Sequence, residues 1–230
     1  ASNITFGQTL AVSVLSGGVA SVPGTFAFTT SSTAPSAGTA SYSVTFTPTI
    51  AANYNTVTTS VNVTTDKATT TITASGFQSL EYNGLPQGPD SSTTSSTGTR
   101  SYSYSGTTYG SVTYGPTAVR PTNAGNYNVI ASVAEDANYL GATSAAYSFT
   151  IAKAGLTVTA DDKTAVQNTS IPSFTVSYVG FVNGEDETDL ITAPTADSPT
   201  ANIAVVNNYS IVATGGVSDN YNFTYVDGTF

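Results

Sequence analysis

Apolar and polar residues alternate along much of this chain. From Ser41 to Thr47, hydroxyl residues interleave with Tyr42, Val44 and Phe46. From Asn126 to Val133, Tyr127, Val129, Ala131 and Val133 fall on one face. Leu156, Val158 and Ala160, then Phe174, Val176 and Tyr178, repeat the pattern. A period of two in threonine, valine and tyrosine predicts half-buried strands, one face in a core and one in water. The helical period is nowhere sustained. Its best candidate is one turn within Glu185–Ile191, where acidic residues follow Asn183-Gly184. Glycine-containing pairs such as Pro23-Gly24, Asn83-Gly84, Asn183-Gly184 and Asp227-Gly228 separate the runs and supply turn geometry.

One phrase occurs three times. Tyr42-x-Val44-x-Phe46 leads to Asn53-Tyr54, Tyr127-x-Val129-x-Ala131 to Asn138-Tyr139, and Tyr209-x-Ile211-x-Ala213 to Asn220-Tyr221. The two tyrosines of a phrase are 12 residues apart each time, and the phrases recur after 85 and 82 residues. A second echo, Asp66-Lys67-Ala68 and Ala152-Lys153-Ala154, marks junctions 86 residues apart. The expected fold is all-β: three tandem immunoglobulin-like β-sandwich modules, at 1–67, 68–153 and 154–230, in an elongated array. The junctions have almost no length, which predicts a stiff connection. The phase of the repeat places the first strand of module one before residue 1 and leaves the last strand of module three incomplete at Phe230.

Composition narrows the role. Only 8% of the 230 residues are charged, 14 acidic against 5 basic, for a net charge of −9. Nucleic-acid binding needs lysine and arginine to replace phosphate counterions, so that role is disfavoured and no nucleic-acid partner is expected, and an anionic membrane surface is disfavoured likewise. No apolar run reaches the roughly 18 residues of a membrane helix. With no cysteine, stability must rest on sheet hydrogen bonds and on tyrosine and valine packing. The low lysine content, with serine and threonine as the solubilising residues, points to an exported, extracellular protein.

Three stretches carry a family resemblance. Ile4-Thr5-Phe6-Gly7-Gln8-Thr9-Leu10, Ala37-Gly38-Thr39 and Val44-Thr45-Phe46-Thr47-Pro48-Thr49 resemble the Ig-like repeats of giant bacterial surface proteins. Tyr82-Asn83-Gly84, Pro121-Thr122-Asn123-Ala124-Gly125-Asn126-Tyr127 and Asn138-Tyr139 resemble MBG repeats of bacterial adhesins. Leu156-Thr157-Val158-Thr159-Ala160, Gly180-Phe181-Val182-Asn183-Gly184 and Asp219-Asn220-Tyr221-Asn222-Phe223 are similar to the related MBG type. This last module departs from the family at 163–170, where a tyrosine-glycine pair is usual and Lys163-Thr164-Ala165-Val166-Gln167-Asn168 stands instead. The resemblance implies a tandem-repeat region of a large cell-surface adhesin and brings no catalytic residues.

Candidate chemistry is sparse. Without histidine or cysteine the usual bases, nucleophiles and transition-metal ligands are missing, so no enzyme is expected and no cofactor is required. Glu185, Asp186, Glu187 and Asp189 form an acidic cluster of the hard oxygens calcium prefers, without EF-hand spacing. Asp161-Asp162 beside the second junction is a lesser calcium candidate. Tyr102, Tyr104, Tyr109 and Tyr114, near Arg100 and Arg120, could stack on a glycan or form a cross-strand ladder. Tyr42, Tyr127 and Tyr209 read as structural, each burying a ring and satisfying its hydroxyl on an adjoining turn. Tyr54, Tyr139 and Tyr221 follow an asparagine expected to fix that turn. Three roles remain open at this point: a stalk or spacer of an adhesin or extracellular filament, a glycan-binding module assisted by calcium, and a filament subunit completed by strands from neighbouring copies. The expected partners are neighbouring repeats or copies, glycans, and host or abiotic surfaces.

Overall fold

The computed structural model describes all 230 residues, Ala1–Phe230, and the chain is all-β apart from two short 3-10 turns. Residues 1–67 carry β1 (Ile4–Thr5), β2 (Gly24–Phe28), β3 (Gly38–Pro48) and β4 (Val57–Asp66). They form one sheet in the order β1-β4-β3-β2, antiparallel except where β1 runs parallel to the end of β4. Alternation sorts its two faces. Phe28, Val44 and Val63 turn inward onto Ile4 and Leu10, with Tyr42 and Val61 packed beside them. On the other face the hydroxyls of Thr29 and Thr45, and of Thr39 and Thr64, pair across strands at 2.8 Å. The inward face meets no second sheet, so this part falls short of the expected sandwich. Its cover is a 3-10 turn at Leu10–Val12 and irregular chain, because Gly17, at φ 76°, and Pro23 interrupt any ladder there.

Residues 68–153 carry β5 (Ile72–Ser75), β6 (Ser79–Glu81), β7 (Ser91–Thr94), β8 (Arg100–Thr108), β9 (Thr113–Thr117), β10 (Gly125–Val133), β11 (Ala142–Thr143) and β12 (Tyr147–Ala152). The main sheet runs β6-β12-β10-β8-β9, with β11 beside β10, and β5 pairs with β7. Residues 154–230 carry β13 (Ala154–Ala160), β14 (Val176–Val179), β15 (Thr195–Asp197), β16 (Ser210–Thr214), β17 (Tyr221–Val226) and β18 (Gly228–Thr229). Here two three-stranded sheets, β14-β13-β17 and β15-β16-β18, pack with β13 against β16. Leu156, Val158 and Ile211 are fully buried. The Phe174 alternation becomes strand only from Val176, and the expected helical turn is the 3-10 turn Glu187–Asp189.

By compactness the chain divides into two units: residues 1–73, 92–101 and 131–145, and residues 74–91, 102–130 and 146–230. The division passes through the middle of residues 68–153 and leaves each linker lysine inside a unit, Lys67 in the first and Lys153 in the second. The junctions are therefore places where the chain packs.

The repeated strand tyrosines are not three copies of one position. Tyr127 pairs with Phe149, four residues before Lys153, whereas Tyr42 pairs with Val61, six residues before Lys67. Tyr127 is 2% exposed, stacks on Phe149 with ring centroids 5.6 Å apart, and donates its hydroxyl to the Asn123 carbonyl at 2.8 Å. Tyr209 repeats this arrangement loosely, lying 6.3 Å from Phe230 with its hydroxyl 3.3 Å from the Val205 carbonyl and 3.2 Å from that of Asn202. Tyr42 instead lies half-buried against the first core. Burial pushes the Tyr127 hydroxyl up to about 12.

Because Tyr127 both fills volume and satisfies a carbonyl, Tyr127→Ala should destabilise its surroundings by about 3 kcal/mol and Tyr127→Phe by about 1 kcal/mol. Urea unfolding of the two variants measures this; unchanged midpoints in both would refute the assignment.

Candidate functional site

Where one strand system ends and the next begins, backbone N–H and C=O groups lose their ladder partners and must be paired some other way. At both linkers an asparagine of the Asn-Tyr phrase pairs them. At the Lys67 linker, the Asn138 side-chain oxygen accepts the Ala37 N–H at 3.0 Å, and the Asn138 carbonyl accepts the Ala68 N–H at 2.9 Å. At the Lys153 linker, the Asn220 side-chain oxygen accepts the Ala124 N–H at 2.9 Å, and its carbonyl accepts the Ala154 N–H at 2.9 Å. One residue thus holds the strand start before the linker and the first residue after it.

Each asparagine is itself held by the residue two positions earlier. An Asp136 oxygen accepts the N–H groups of Asn138 and Tyr139, each at 2.8 Å, and the Ser218 hydroxyl accepts those of Asn220 and Tyr221, each at 3.1 Å. The tyrosine that follows sets its ring edge-on to an aromatic from the other side of the linker. Tyr139 meets Phe6 at 5.3 Å and 79°, and Tyr221 meets Tyr82 at 5.6 Å and 84°. The linker lysines add a tether each. Lys67 pairs with Glu135 at 3.4 Å, and Lys153 donates to the Ser218 carbonyl at 2.6 Å while lying 5.8 Å from the Tyr109 ring centroid. Each joint lies wholly inside one compact unit.

The second joint has a further lock. Glu185 is half-buried and accepts the hydroxyls of Tyr82 and Tyr221, one on each carboxylate oxygen. Asn183 donates to the Gly84 carbonyl at 3.1 Å, so the two Asn-Gly turns of the sequence meet. Gly84 sits at φ 73°, and a Cβ there would lie 2.5 Å from that of Asn183, so glycine is required twice over. Desolvation by burial, then the hydrogen bond to Glu185, push the Tyr221 hydroxyl up to about 12 and raise that of Tyr82 beyond it. At the first joint the Asn138 N–H, with further help from Ser96, Thr97 and Tyr139, holds the Asp136 carboxyl well below the usual range.

The sequence-derived candidates distribute around these joints. Of the acidic cluster, Glu185 belongs to the tyrosine lock, Asp186 caps the 3-10 turn through Thr188, and Asp189 accepts the Asp186 N–H at 2.9 Å. Glu187 is exposed on that turn, and no three acidic side chains converge in a group able to hold a metal ion. Asp161 accepts the Thr175 and Ser177 hydroxyls, which lower its pKa, Ser177 the more strongly, and Asp162 accepts the Thr229 N–H. The tyrosines do not form one surface. Tyr104 is 1% exposed, donates to the Pro89 carbonyl at 2.7 Å and meets Phe149 edge-on, which takes it out of reach of any glycan. Tyr114 packs edge-on to Tyr127 and donates to the Val119 carbonyl; Tyr102 is half-buried and Tyr109 belongs to the second joint.

The sequence places Tyr139 and Tyr221 at turns and does not single out the residues they meet, Phe6 and Asp136 for Tyr139, and Tyr82 and Ser218 for Tyr221. The signal was present: both aromatics precede a glycine by one or two residues, and both follow a short strand parallel to the one entering the linker. In the third segment the stretch beside β18 is Asp162-Lys163-Thr164-Ala165, which offers no ring.

Comparison with known proteins places part of this design. Residues 156–230 match the MBG domain (YGX type). The MBG-type repeat read from the sequence of this segment is thereby shown. No curated protein matches the chain significantly. Four chains of solved structures do. One is Drosophila N-cadherin EC1-3, 14% identical over 83% of this chain and 76% of that one, with a TM-score of 0.24, a superposition too loose to carry an argument. No helix is long and apolar enough to cross a membrane.

Two measurements test the joints. Asn220→Ala leaves the fully buried Ala124 N–H without a partner and should cost about 1–3 kcal/mol, whereas Asn138→Ala should cost less because Ala37 is only half-buried. Amide exchange at Ala124 and Ala154 reads the first; unchanged protection would remove the asparagine from its assigned role. The joints should also differ in pH response. Tyr82 and Tyr221 carry raised pKa values, so their contribution is whole below the unfolded value of about 10 and is lost as pH rises through about 12. Asp136 is depressed, so its contribution is whole above about 4 and fades as pH falls below that. Exchange at Ala154 should therefore accelerate in alkali, beyond the intrinsic base-catalysed rate, and exchange at Ala68 in acid.

Proposed function

We propose that the chain is a structural, non-enzymatic stretch of a large bacterial cell-surface adhesin or extracellular filament, in which consecutive Ig-like modules are fixed end to end. The observation that carries this reading is the joint built twice from the same parts. An asparagine bridges the backbone across the linker, the next tyrosine docks on an aromatic of the preceding module, and the linker lysine is tied down. Flexible linkers leave such groups to water. Here the sequence commits buried hydrogen bonds and aromatic edges to setting the angle between neighbours, which is what a spacer that must hold its reach requires.

The MBG-type repeat of residues 156–230 supports the same reading, since the resemblance implies exported adhesins. So does a surface solubilised by threonine and serine with 8% charged residues. In this role the protein works outside the cell, its first partners are neighbouring modules, and glycan or surface contact belongs to other parts of the assembly. The dispersal of the four candidate tyrosines, with Tyr104 in the core, favours this spacer over glycan recognition.

Small-angle scattering of the wild-type chain and the Asn138→Ala/Asn220→Ala double variant tests it. The wild type should give one narrow distribution of interatomic distances, and the variant a broader one with unchanged circular dichroism. A variant as rigid as the wild type would deny the joints their proposed purpose.

A further inference from the structure

Strand β4 has one edge paired and one bare. It pairs with β3 from Val57 to Thr65, whereas its other edge meets only β1, at Thr65 and Asp66. β1 goes no further because Ser2 turns to another neighbour. The Ser2 N–H donates to the Val14 carbonyl at 2.9 Å, and the Ser2 hydroxyl accepts the Val14 N–H at 2.8 Å. The Phe6 N–H donates to the Asp66 carbonyl, so the backbone groups of Asp66 point to the β1 side. Alternation then points those of Thr58, Ser60 and Asn62 to the same side, where no strand meets them. All three residues are exposed.

A bare edge invites pairing with another chain, and folds blunt such edges by shortness, proline, bulges or charge. The other edges of this chain are blunted. β1, β5, β6, β7, β14, β15 and β18 have two to four residues each. β9 contains Pro116 and a register shift against β8, β2 starts behind Pro23, and β17 runs into Asp227. The stretch Val57–Val63 has none of these devices. It reads Val-Thr-Thr-Ser-Val-Asn-Val, without charge, proline or glycine, and its register with β3 is unbroken. Two copies of a chain of net charge −9 therefore meet no like charges along this strand.

We propose that this edge pairs antiparallel with the same edge of a second copy of the chain, about a two-fold axis through Ser60. With Ser60 opposite its own copy, Thr58 faces Asn62 and each outward backbone group meets an outward one. The pairing makes about six inter-strand hydrogen bonds, two for each facing pair. On the core side Val57 faces Val63 and Thr59 faces Val61, so every pair there sets one β-branched side chain on another. Val57, 60% exposed in the single chain, is covered. Only this register uses the whole bare edge. Centring on Thr59 loses a facing pair. Centring on Val61 drives the partner's Thr58 against Thr64, beside β1 and Asn3, whose amide is held on the Asp66 carboxylate at 3.3 Å. A two-fold contact is closed, so it joins chains in pairs and is separate from the joints at Lys67 and Lys153.

The chain has no cysteine, so single cysteines report the contact directly. Facing Ser60 residues lie about 5.5 Å apart at Cα, within disulfide reach. Under mild oxidation Ser60→Cys should therefore form disulfide dimer about ten-fold faster than Thr25→Cys, which is exposed on β2 at the other edge of the sheet. The unmodified chain should dimerise by sedimentation equilibrium as its concentration approaches about 1 mM. Amide exchange at Thr58, Ser60 and Asn62 should slow about ten-fold over the same range. Ser60→Lys sets two like charges opposite each other at an exposed site and should restore the monomer with unchanged circular dichroism. A chain still monomeric at that concentration, a dimer protected elsewhere or indifferent to Ser60→Lys, or equal rates for the two cysteines would each overturn the proposal.

Discussion

Where one strand system follows another without a spacer, the backbone groups stranded at the junction have to be paired, and this chain does so with one asparagine at each. Its side chain accepts from the module before, its carbonyl accepts from the residue just past the linker, and its own N–H is held by Asp136 or Ser218. Buried amides have no cheap alternative, since an unpaired N–H costs about 1–3 kcal/mol. The rest of the junction follows from this placement. Once the asparagine is fixed, the next residue has to point across the linker, and an aromatic there finds Phe6 or Tyr82.

The two joints solve one geometric problem with different chemistry. The first relies on a carboxylate, Asp136, gathering several donors; the second replaces it with a hydroxyl and adds the Glu185 bridge between two phenols. Of the acidic run, Glu185, Asp186 and Asp189 each accept from protein donors, and Glu187 is exposed. A carboxylate facing two tyrosine hydroxyls is satisfied locally and needs no counter-ion to be stable. The first segment, by contrast, leaves an apolar groove in water, with Val12, Val14, Val19 and Val57 all exposed.

Much of the strand arrangement was legible in the sequence. Period two located β3, β10 and β13, the Asn-Gly pairs located turns, and the acidic stretch after Asn183-Gly184 located the 3-10 turn. These are local matters of backbone and side-chain direction. The roles of the tyrosines were half legible. Tyr127 is buried and Tyr209 half-buried, each with its hydroxyl on a backbone carbonyl, while Tyr42 is two residues out of register, and Tyr104, grouped by proximity with Tyr102, Tyr109 and Tyr114, lies in the core. Register depends on which strand lies alongside, and a single strand cannot state that about itself.

By itself the sequence determined the class of fold, the three-fold phrase and the MBG-type character of residues 156–230, because alternation and repetition are written one residue at a time. Only the tertiary structure decided what the phrase is for. Asn138 and Ala37 are 101 positions apart, Asn220 and Ala124 are 96, and Glu185 and Tyr82 are 103. Contacts of that range exist only after each sheet has formed and set its edge against the next. The same step leaves the groove over Phe26 and Phe46 uncovered, since whether an apolar face is buried depends on what the fold brings to it.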